Sequence, residues 1–440
     1  MATTKISKTL RIGMIGGGTV GGGVYELIMN RLGGATATIT KICVRDLDKP
    51  RDFTVDTNLT SMVSDVHEIL SDENIDCVVE VMGGTGLAKT VVLEALKKGK
   101  SVVTANKALI AEHLEEIKKL SDTSSGANFC YEAAVCGGIP IINTLQTCYT
   151  GDIINEVMGI CNGTTNYMLG KMEEGAEYDE VLKEAQDLGY AEADPTADVE
   201  GHDVRAKIAI LAKLAFGQTV PVDTIPCSGI TQISSVDFEY AKLLGCTIKL
   251  VGTAARLSEY GEHDGALSVY VTPKIVPMTH LLASARGSGN AVAVNSSNLG
   301  TASYTGPGAG RYPTASSVVA DICRVAGGSC SAPFPSVTST SSIEIDNDYT
   351  SAFYIRISFQ DGLGIIRSVG ELAEAHGVSI NSVLQNPIRN RMEADFVVTT
   401  ESCKLSQVVS LCDDIAKQEY CRMPPLSMPI LLDKDSEYSS

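Results

Sequence analysis

The sequence predicts an α/β fold in three parts: a Rossmann-type domain, an α+β domain and a C-terminal βαββαβ domain. Up to about residue 150, short β-branched apolar runs alternate with helical patterns, which indicates a parallel sheet with crossover helices. A glycine-rich turn follows the first of these runs. From about residue 349 the pattern changes to strand, helix, two strands, helix and strand.

Length and charge narrow the class of protein. The 440 residues exceed the size at which one hydrophobic core usually suffices, so we expect two or three domains. The formal net charge of −18 favours a soluble protein with no nucleic-acid or anionic-membrane partner. No apolar run is long enough to span a membrane, and residues 1–11 lack the apolar core of a secretory signal. We therefore expect a cytoplasmic protein.

The thirteen cysteines are scattered through apolar segments and include no CxxC pair. A chain of this length does not need disulfides to stabilise its core. We therefore expect buried, reduced thiols, with a zinc site or a catalytic thiol as the alternative.

The predicted elements divide the chain into four segments. The first, 1–150, is the Rossmann-type domain, and we leave open whether 306–328 returns to it. The second is the α+β domain at 151–332, with a Ser-rich linker at 333–348 and the βαββαβ domain at 349–440. The main predicted strands are Leu10–Ile15, Ala37–Val44, Ile75–Val81, Ser101–Thr104, Phe129–Ala133 and Leu267–Val276. The main predicted helices are Leu87–Lys98, Leu109–Ser121, Tyr178–Leu188 and Asp198–Phe216.

A GxGxxG motif follows the first strand and opens a helix at Thr19 and Val20. Gly16 permits a tight turn, Gly18 lets a pyrophosphate approach the backbone, and Gly21 lets the helix pack on the strand. The helix N-terminus then holds the anion with free N–H groups. The motif predicts a dinucleotide site, with a flexible glycine turn as the alternative.

The second strand ends at Arg45 and Asp46. An acid at this strand end binds the ribose 2′-hydroxyl of NAD, whereas an arginine can pair with the 2′-phosphate of NADP. Because Arg45 comes first, we expect NADP, with NAD as the alternative. A solvated Arg45 with no role is the other reading.

Two further places carry candidate chemistry. Lys107 follows the strand Ser101–Thr104, at the sheet edge where open α/β folds bind ligands, although a surface lysine is the alternative. Asp203 and Lys207 lie four residues apart in a largely apolar helix, for which Asp198 is the predicted N-cap. They form either a surface salt bridge or a pocket that tunes the lysine. His202 is read as a surface or supporting histidine.

At this point the chain resembles homoserine dehydrogenases over nearly its whole length. Eight segments carry the resemblance, in the order of that family. They are Ile15–Gly21, Thr104–Lys107, Tyr131–Ala133, Gly137–Ile142, Asn162–Tyr167, Gly189–Pro195, Asp198–Lys207 and Gly306–Gly310.

The resemblance implies NAD(P)-dependent interconversion of L-aspartate 4-semialdehyde and L-homoserine. It assigns proton transfer to Lys207, a place beside the nicotinamide and the reacting oxygen to Lys107, and substrate contacts to Glu192 and Asp203. The matching cofactor positions in later segments are Gly189 and Gly308. The resemblance also implies a monovalent cation, usually sodium in that family, held mostly by backbone oxygens at Glu132, Val135, Gly137 and Ile139.

Residues 351–431 resemble an ACT domain, a ferredoxin-like module that often pairs edge to edge and binds amino acids. Threonine regulation is the hypothesis that follows, with a structural or dimerising module as the alternative. Leu363 stands where that family usually has proline, which weakens the expectation of ligand binding.

Two rival functions remain at this level. The first is another Rossmann amino-acid or semialdehyde dehydrogenase. An aldehyde dehydrogenase that forms acyl intermediates would need a nucleophilic cysteine near a histidine; Cys136 and Cys161 lie near the site motifs, but no histidine stands beside them in the sequence. A non-catalytic sensor of nucleotide and amino acid is the second rival. We expect a monofunctional chain, without a kinase-like extension, that forms a homodimer or homotetramer and contains the substrate and dimerisation surfaces in the α+β domain.

Overall fold

The structure is a computed structural model that describes residues 9–32, 36–123, 126–257, 265–334, 343–388 and 390–431. These form two compact units. The first comprises Met1–Val157, Ala206–Thr224 and Asn290–Ser342, and the second comprises Met158–Arg205, Ile225–Gly289 and Ile343–Ser440. Residues 1–8 and half of the predicted linker (335–342) lie outside the described residues, and the four-segment division stays a prediction.

The strands and helices have the following bounds. The strands are β1 (Leu10–Ile15), β2 (Ala37–Cys43), β3 (Ser61–Val63), β4 (Cys77–Glu80), β5 (Ser101–Thr104), β6 (Phe129–Cys130), β7 (Ile154–Ile160), β8 (Cys246–Arg256), β9 (Leu267–Pro277), β10 (Gly289–Ser296), β11 (Gly300–Pro307), β12 (Thr350–Phe359), β13 (Ile380–Leu384), β14 (Ala394–Thr400), β15 (Cys403–Lys404) and β16 (Leu426–Ile430). The α-helices are α1 (Thr19–Glu26), α2 (His67–Leu70), α3 (Gly86–Lys97), α4 (Lys107–Thr123), α5 (Ile141–Thr147), α6 (Gly163–Glu173), α7 (Tyr178–Asp187), α8 (Thr196–Val199), α9 (His202–Phe216), α10 (Ser235–Leu243), α11 (Arg311–Gly327), α12 (Ile365–Ala375) and α13 (Leu405–Ala416).

The first unit contains a six-stranded sheet in the order β3-β2-β1-β4-β5-β6. Every strand pair in it is parallel. The apolar, β-branched strands β1, β4 and β5 are buried almost throughout because helices cover both faces of such sheets. This order, with its reversal between β1 and β4, confirms the predicted Rossmann-type sheet and puts the carboxyl ends of β1 and β4 side by side.

One predicted strand is wrong. Phe129–Ala133 was expected as a single strand, but β6 ends at Cys130 and a 3-10 turn occupies Glu132–Ala134. The cause is the Glu132 carboxylate, which accepts the backbone N–H groups of Ile142 and Asn143, each at 2.8 Å. That long-range contact turns the chain out of the sheet.

Helix α11 completes the core of the first unit. Its buried residues Ala315, Val318 and Ile322 join the apolar cluster formed by β1, β2 and α1. A Cβ atom on Gly23 of α1 would lie 3.0 Å from the Cβ of Ala315. Glycine in α1 therefore permits α11 to approach closely.

The second unit contains a mixed sheet. Within it β8, β9, β16, β12, β14 and β13 follow one another, with β9 and β16 parallel and the other neighbours antiparallel. The predicted α+β organisation on a mixed sheet is confirmed. The predicted order strand, helix, two strands, helix and strand from residue 349 is also confirmed, with the two-residue β15 added.

Strand β12 is buried on both faces. Phe353, Ile355 and Ile357 pack in an apolar cluster with residues of α12 and α13. The alternate residues face α10: the Tyr354 hydroxyl donates to Asp237 at 2.8 Å, and Arg356 donates to the Ser234 hydroxyl at 2.6 Å. The C-terminal module is thus fastened to α10 by buried polar contacts.

The predicted helix Asp198–Phe216 is two helices. Helix α8 ends at Val199, Gly201 adopts a left-handed conformation (φ +81°), and α9 begins at His202. Asp198 therefore lies inside α8, whose N-cap is Pro195, and the predicted capping role of Asp198 is wrong.

The cysteines form no disulfide in the described structure, as predicted. Their burial is more varied than expected. Cys148 is exposed, and six others are only partly buried.

Candidate active site

The glycine turn between β1 and α1 requires glycine at two positions. Gly16 has φ +113°, and a Cβ atom there would lie 2.6 Å from the carbonyl oxygen of Val81. A Cβ atom on Gly21 would lie 2.3 Å from the carbonyl oxygen of Gly16. Any larger residue at either position forces the turn open.

The N-terminus of α1 faces open space. Its N-cap is Gly18, no side chain of the described residues caps it, and its first turn contains no acid. A Cβ atom on Gly18 would meet no described atom within 4 Å. A cavity of about 1060 Å³ lies here, lined by Gly16–Thr19 and by residues that follow β2 and β4. Uncapped N–H groups and the helix dipole at a cavity make an anion site.

The cavity has a cationic end beyond β2. Arg45, Lys49 and Arg51 line it, and Arg45 is exposed. The Asp46 carboxylate is engaged in its own loop, where it accepts the backbone N–H groups of Asp48 and Lys49 at 3.0 and 3.2 Å. Arg51 donates to the carbonyl oxygens of Asp46 and Lys49 and so stiffens the same loop.

Glu80, at the end of β4, organises the neighbouring strand ends and was missed by sequence reasoning. Its fully buried carboxylate accepts the Thr104 hydroxyl at 2.6 Å and the backbone N–H of Met82 at 2.9 Å. Asn106 then caps α4 through the N–H of Leu109 at 3.1 Å. These contacts fix the start of α4, where Lys107 is half-buried as the first residue.

Glu132 is a buried carboxylate rather than an open ligand. Besides accepting two N–H groups at the start of α5, it lies 3.5 Å from the guanidinium of Arg324. Its own backbone N–H donates to Asp321 at 2.8 Å, and Asp321 pairs with Arg324. Burial nevertheless raises the pKa of the Glu132 carboxyl to about 7.

The loop after Glu132 is tightly folded. Cys136 and Gly137 have φ values of +54° and +45°, and Cys136 is the one described residue other than glycine with positive φ. The Gly137 carbonyl accepts the Ser317 hydroxyl at 2.7 Å, and Gly138 donates to the Pro307 carbonyl at 3.0 Å. Val135 and Ile139 are buried. Backbone carbonyl oxygens are therefore the main atoms in this loop that can coordinate a cation.

Gly308 lies against this loop and against Asn290. A Cβ atom on Gly308 would lie within 2.3 Å of the Asn290 amide, and one on Gly137 would lie 2.4 Å from the Gly308 carbonyl oxygen. The Asn290 side chain is 1% exposed and finds no hydrogen-bond partner among the described residues. Sequence reasoning did not single out Asn290, because nothing near it in the chain marks it.

Helix α9 contains two lysines of equal burial. Lys207 and Lys213 are each 7% exposed, among buried residues such as Ile208 and Leu211. The Lys213 ammonium donates to the Gly217 carbonyl at 2.9 Å and to the Thr219 hydroxyl at 2.8 Å. Lys213 therefore has a structural task that its sequence context did not reveal.

In the second unit, Asn162 joins two of the acids. It caps α6 through the N–H of Thr165, and its amide donates to Asp198 at 2.6 Å and to Asp203 at 2.9 Å. Asp203 is buried, so the alternative that it forms a salt bridge on the protein surface is wrong. Asn162 belonged to a matching segment but was not predicted as a site residue.

The other predicted residues of this unit are accessible. Gly189 (φ +76°) and Glu192 are exposed, and His202 is exposed as predicted. The Gln186 amide donates to the backbone carbonyl of Glu192 at 3.1 Å, and this bond fixes the backbone of Glu192 without engaging its carboxylate.

The described residues lack two features that would indicate other classes of protein. They contain no group of three or more His, Cys, Asp or Glu side chains suited to a metal ion. No helix among them is long and apolar enough to cross a membrane.

Comparisons with known proteins agree on one family. The family model for the homoserine dehydrogenase NAD-binding domain matches residues 16–132, and that for homoserine dehydrogenase matches residues 140–323. A homoserine dehydrogenase of Bacillus subtilis is 39% identical over 89% of this chain and 92% of its own length.

Solved structures agree as well. The crystal structure of a homoserine dehydrogenase from Thiobacillus denitrificans superposes with a TM-score of 0.86 at 32% identity, covering 96% of this chain and 98% of that one. A hyperthermophilic archaeal homoserine dehydrogenase in complex with NADPH superposes with a TM-score of 0.59 at 25% identity, covering 74% of this chain and 99% of that one. The chain therefore belongs to the homoserine dehydrogenase family.

Proposed function

We propose that this chain interconverts L-aspartate 4-semialdehyde and L-homoserine, with Lys207 exchanging the hydroxyl proton. Family membership makes the chain an oxidoreductase that acts on a CH–OH group with a nicotinamide cofactor. The cofactor supplies or accepts the hydride at the reacting carbon. The observation that carries the proposal is the uncapped N-terminus of α1 at a cavity lined by the glycine turn.

The residues take the following roles in the proposal. Lys207, an ammonium on an apolar helix, gives or takes the proton. Lys107 orients the reacting oxygen, and the acids Glu192 and Asp203 bind the substrate ammonium. Asn162 supports Asp203, because its amide donates to that carboxylate. The glycine positions Gly189 and Gly308 line the cofactor.

The test is an absorbance assay of the reduced nicotinamide with purified protein. We expect oxidation of NADPH with aspartate semialdehyde and reduction of NADP with homoserine. Turnover of other semialdehydes but not this one would favour another Rossmann dehydrogenase. Cofactor binding without any turnover would favour the sensor. Family membership speaks against both rivals.

We propose NADP as the preferred cofactor. Arg45 is exposed at the cationic end of the cavity, where a 2′-phosphate would bind, and one oxygen of the Asp46 carboxylate already accepts two backbone N–H groups. Arg45→Ala should raise KM for NADPH about tenfold, since a charge-assisted contact contributes about 1.5 kcal/mol or more, while KM for NADH changes little. Arg31→Ala, outside the cavity lining, is the control. Equal effects on both cofactors would contradict the proposal.

We propose that a monovalent cation, sodium or a similar ion, binds the backbone oxygens of Glu132, Val135, Gly137 and Ile139. The loop fits such an ion because its backbone supplies carbonyl oxygens, each with two lone pairs, of which those of Gly137 and Ile139 already accept one hydrogen bond. The Glu132 carboxylate is engaged with two backbone N–H groups. Sodium chloride should then raise the melting temperature more than choline chloride at equal ionic strength. Equal shifts would contradict the proposal.

We propose that the C-terminal module is an ACT domain that binds threonine. Its βαββαβ order supports the module. Titrating threonine into the assay should inhibit turnover, with serine as the matched control. No inhibition would leave a structural or dimerising role.

We propose a homodimer or homotetramer in the cytoplasm. Light scattering of the purified chain measures the mass directly, and 46.5 kDa per chain makes the two states easy to separate.

A further inference from the structure

Two cysteines far apart in sequence meet in the first unit. The thiol of Cys130, at the end of β6, donates to the sulfur of Cys330, which follows α11, with the two Sγ atoms 3.5 Å apart. Neither residue belongs to the proposed reaction. A disulfide needs an S–S distance of about 2.05 Å, so the two sulfurs need to approach by roughly 1.5 Å.

The two thiols differ in access. Cys130 is buried, whereas Cys330 is only partly buried and so can meet a small oxidant from solvent. The hydrogen bond from Cys130 and the charge of Arg324 lower the pKa of the Cys330 thiol. Cys330 is therefore the thiol that reacts first, because the thiolate is the nucleophile.

The segment after Cys330 is held where the approach requires it. The Pro333 carbonyl accepts the Tyr131 hydroxyl at 2.6 Å and the Gln146 amide at 2.9 Å. The ring of Phe334 stacks on that of Tyr131 with the centroids 5.3 Å apart. These contacts join the residue after Cys130 to the segment after Cys330, and so hold the two sulfurs close together.

We propose that Cys130 and Cys330 are a redox site, which a peroxide converts reversibly to a disulfide that ties β6 to the end of α11. The Cys330 thiolate attacks one peroxide oxygen, the O–O bond breaks, and a sulfenic acid and hydroxide form. Cys130 then loses its proton and attacks the Cys330 sulfur, the S–O bond breaks, and the second oxygen leaves as water after protonation. Two thiols lose two electrons in total and one hydrogen peroxide becomes two waters.

The disulfide should stabilise the first unit. Cys130 lies two residues before Glu132, and Cys330 follows the helix that contributes Asp321 and Arg324. The bond closes a long loop of the chain, so it restricts the unfolded state. We therefore expect a melting temperature several degrees higher after oxidation, reversed by dithiothreitol.

The test is differential alkylation of the full-length protein before and after hydrogen peroxide, followed by digestion and mass spectrometry. We expect a crosslinked pair of peptides containing Cys130 and Cys330, two hydrogens lighter than the sum of the thiols, that disappears on reduction. Cys148→Ser, which removes the exposed thiol, should retain the crosslink and the rise in melting temperature. Cys330→Ser should lose both.

Several results would overturn the proposal. One is a Cys330 that oxidises to sulfinic acid while Cys130 remains an alkylatable thiol. Another is a disulfide that uses Cys77 or Cys148 instead. Because the peptide mapping is done on the wild-type protein, the test holds even if a serine variant fails to fold.

Discussion

Helices α1 and α5 both lie in the first unit but use their first N–H groups in opposite ways. At α5 the Glu132 carboxyl group accepts the N–H groups of Ile142 and Asn143, so the protein supplies its own acceptor. At α1 the cap is Gly18, no side chain of the described part contributes, and a cavity lies open. Helix starts need acceptors, so the contrast indicates that α1 is kept for a ligand anion.

The largest effect should come from closing the turn of α1. In Gly21→Ala, the new methyl would lie 2.3 Å from the Gly16 carbonyl oxygen, so backbone must move. Overpacking of this kind costs about 1–3 kcal/mol, and we expect at least about a hundredfold weaker cofactor binding. Fluorescence titration of NADPH and urea unfolding measure the two effects.

The matched control is Gly170→Ala in α6. A Cβ atom there would meet no described atom within 4 Å. Alanine should therefore leave cofactor affinity unchanged and stabilise the helix by up to about 1 kcal/mol. Equal losses of affinity in both variants would break the comparison, since they would not be specific to the turn.

The next effect comes from removing the acceptor at α5. Glu132→Gln replaces one acceptor oxygen by an NH₂ group that faces a backbone N–H or Arg324. Leaving buried groups unsatisfied in this way should lower the free energy of unfolding by about 1–3 kcal/mol. Urea unfolding measures it, with the exposed Glu192→Gln as the control for stability. An unchanged stability would show that α5 does not need the Glu132 acceptor.

The raised pKa of the Glu132 carboxyl predicts that the stability of the protein depends on pH. Its pKa is about 7 in the folded protein and 4.5 as the reference value, so the folded state binds the proton more tightly. This tighter proton binding adds to the free energy of unfolding below pH 4.5, and the contribution is lost as the pH rises through 7. At about 1.4 kcal/mol per pKa unit, the contribution is up to about 3 kcal/mol.

This dependence is measured as the difference between the wild type and Glu132→Gln from pH 5 to pH 8. The wild type should lose stability relative to the variant as the pH rises. A difference that is flat with pH would contradict the raised pKa.

The smallest effect should come from filling the space at α1. Gly18→Ala adds a methyl where no described atom lies within 4 Å, and its φ of −88° suits any residue. Stability should change by less than about 0.5 kcal/mol, while cofactor affinity falls about tenfold because the methyl occupies ligand space. Unchanged affinity would mean that the ligand does not approach Gly18.

The sequence was sufficient for features that depend on near neighbours. β1 and β5 were predicted with the bounds found, and the glycine turn with its two constrained positions follows from a six-residue motif. Burial of a whole strand and a tight turn leave a local pattern of residue types, which a single sequence displays.

The features that were missed depend on distant residues. β6 stops at Cys130 because of a carboxylate and N–H groups further along the chain, and the break at Gly201 reflects a backbone conformation that spacing does not show. The tasks of Glu80 and Lys213 were equally invisible, since their partners come from other elements. Three-dimensional contacts decided each case, and periodicity does not encode them.

The most direct test compares two lysines on one helix, Lys207→Met and Lys213→Met. Both residues are 7% exposed, but the Lys213 ammonium already donates to Gly217 and Thr219. The account predicts that Lys207→Met binds NADPH normally yet turns over aspartate semialdehyde at least about a hundredfold more slowly, as expected for loss of a proton-transfer group. Lys213→Met should lose stability and keep its turnover below its melting temperature. Normal turnover by Lys207→Met would contradict the account.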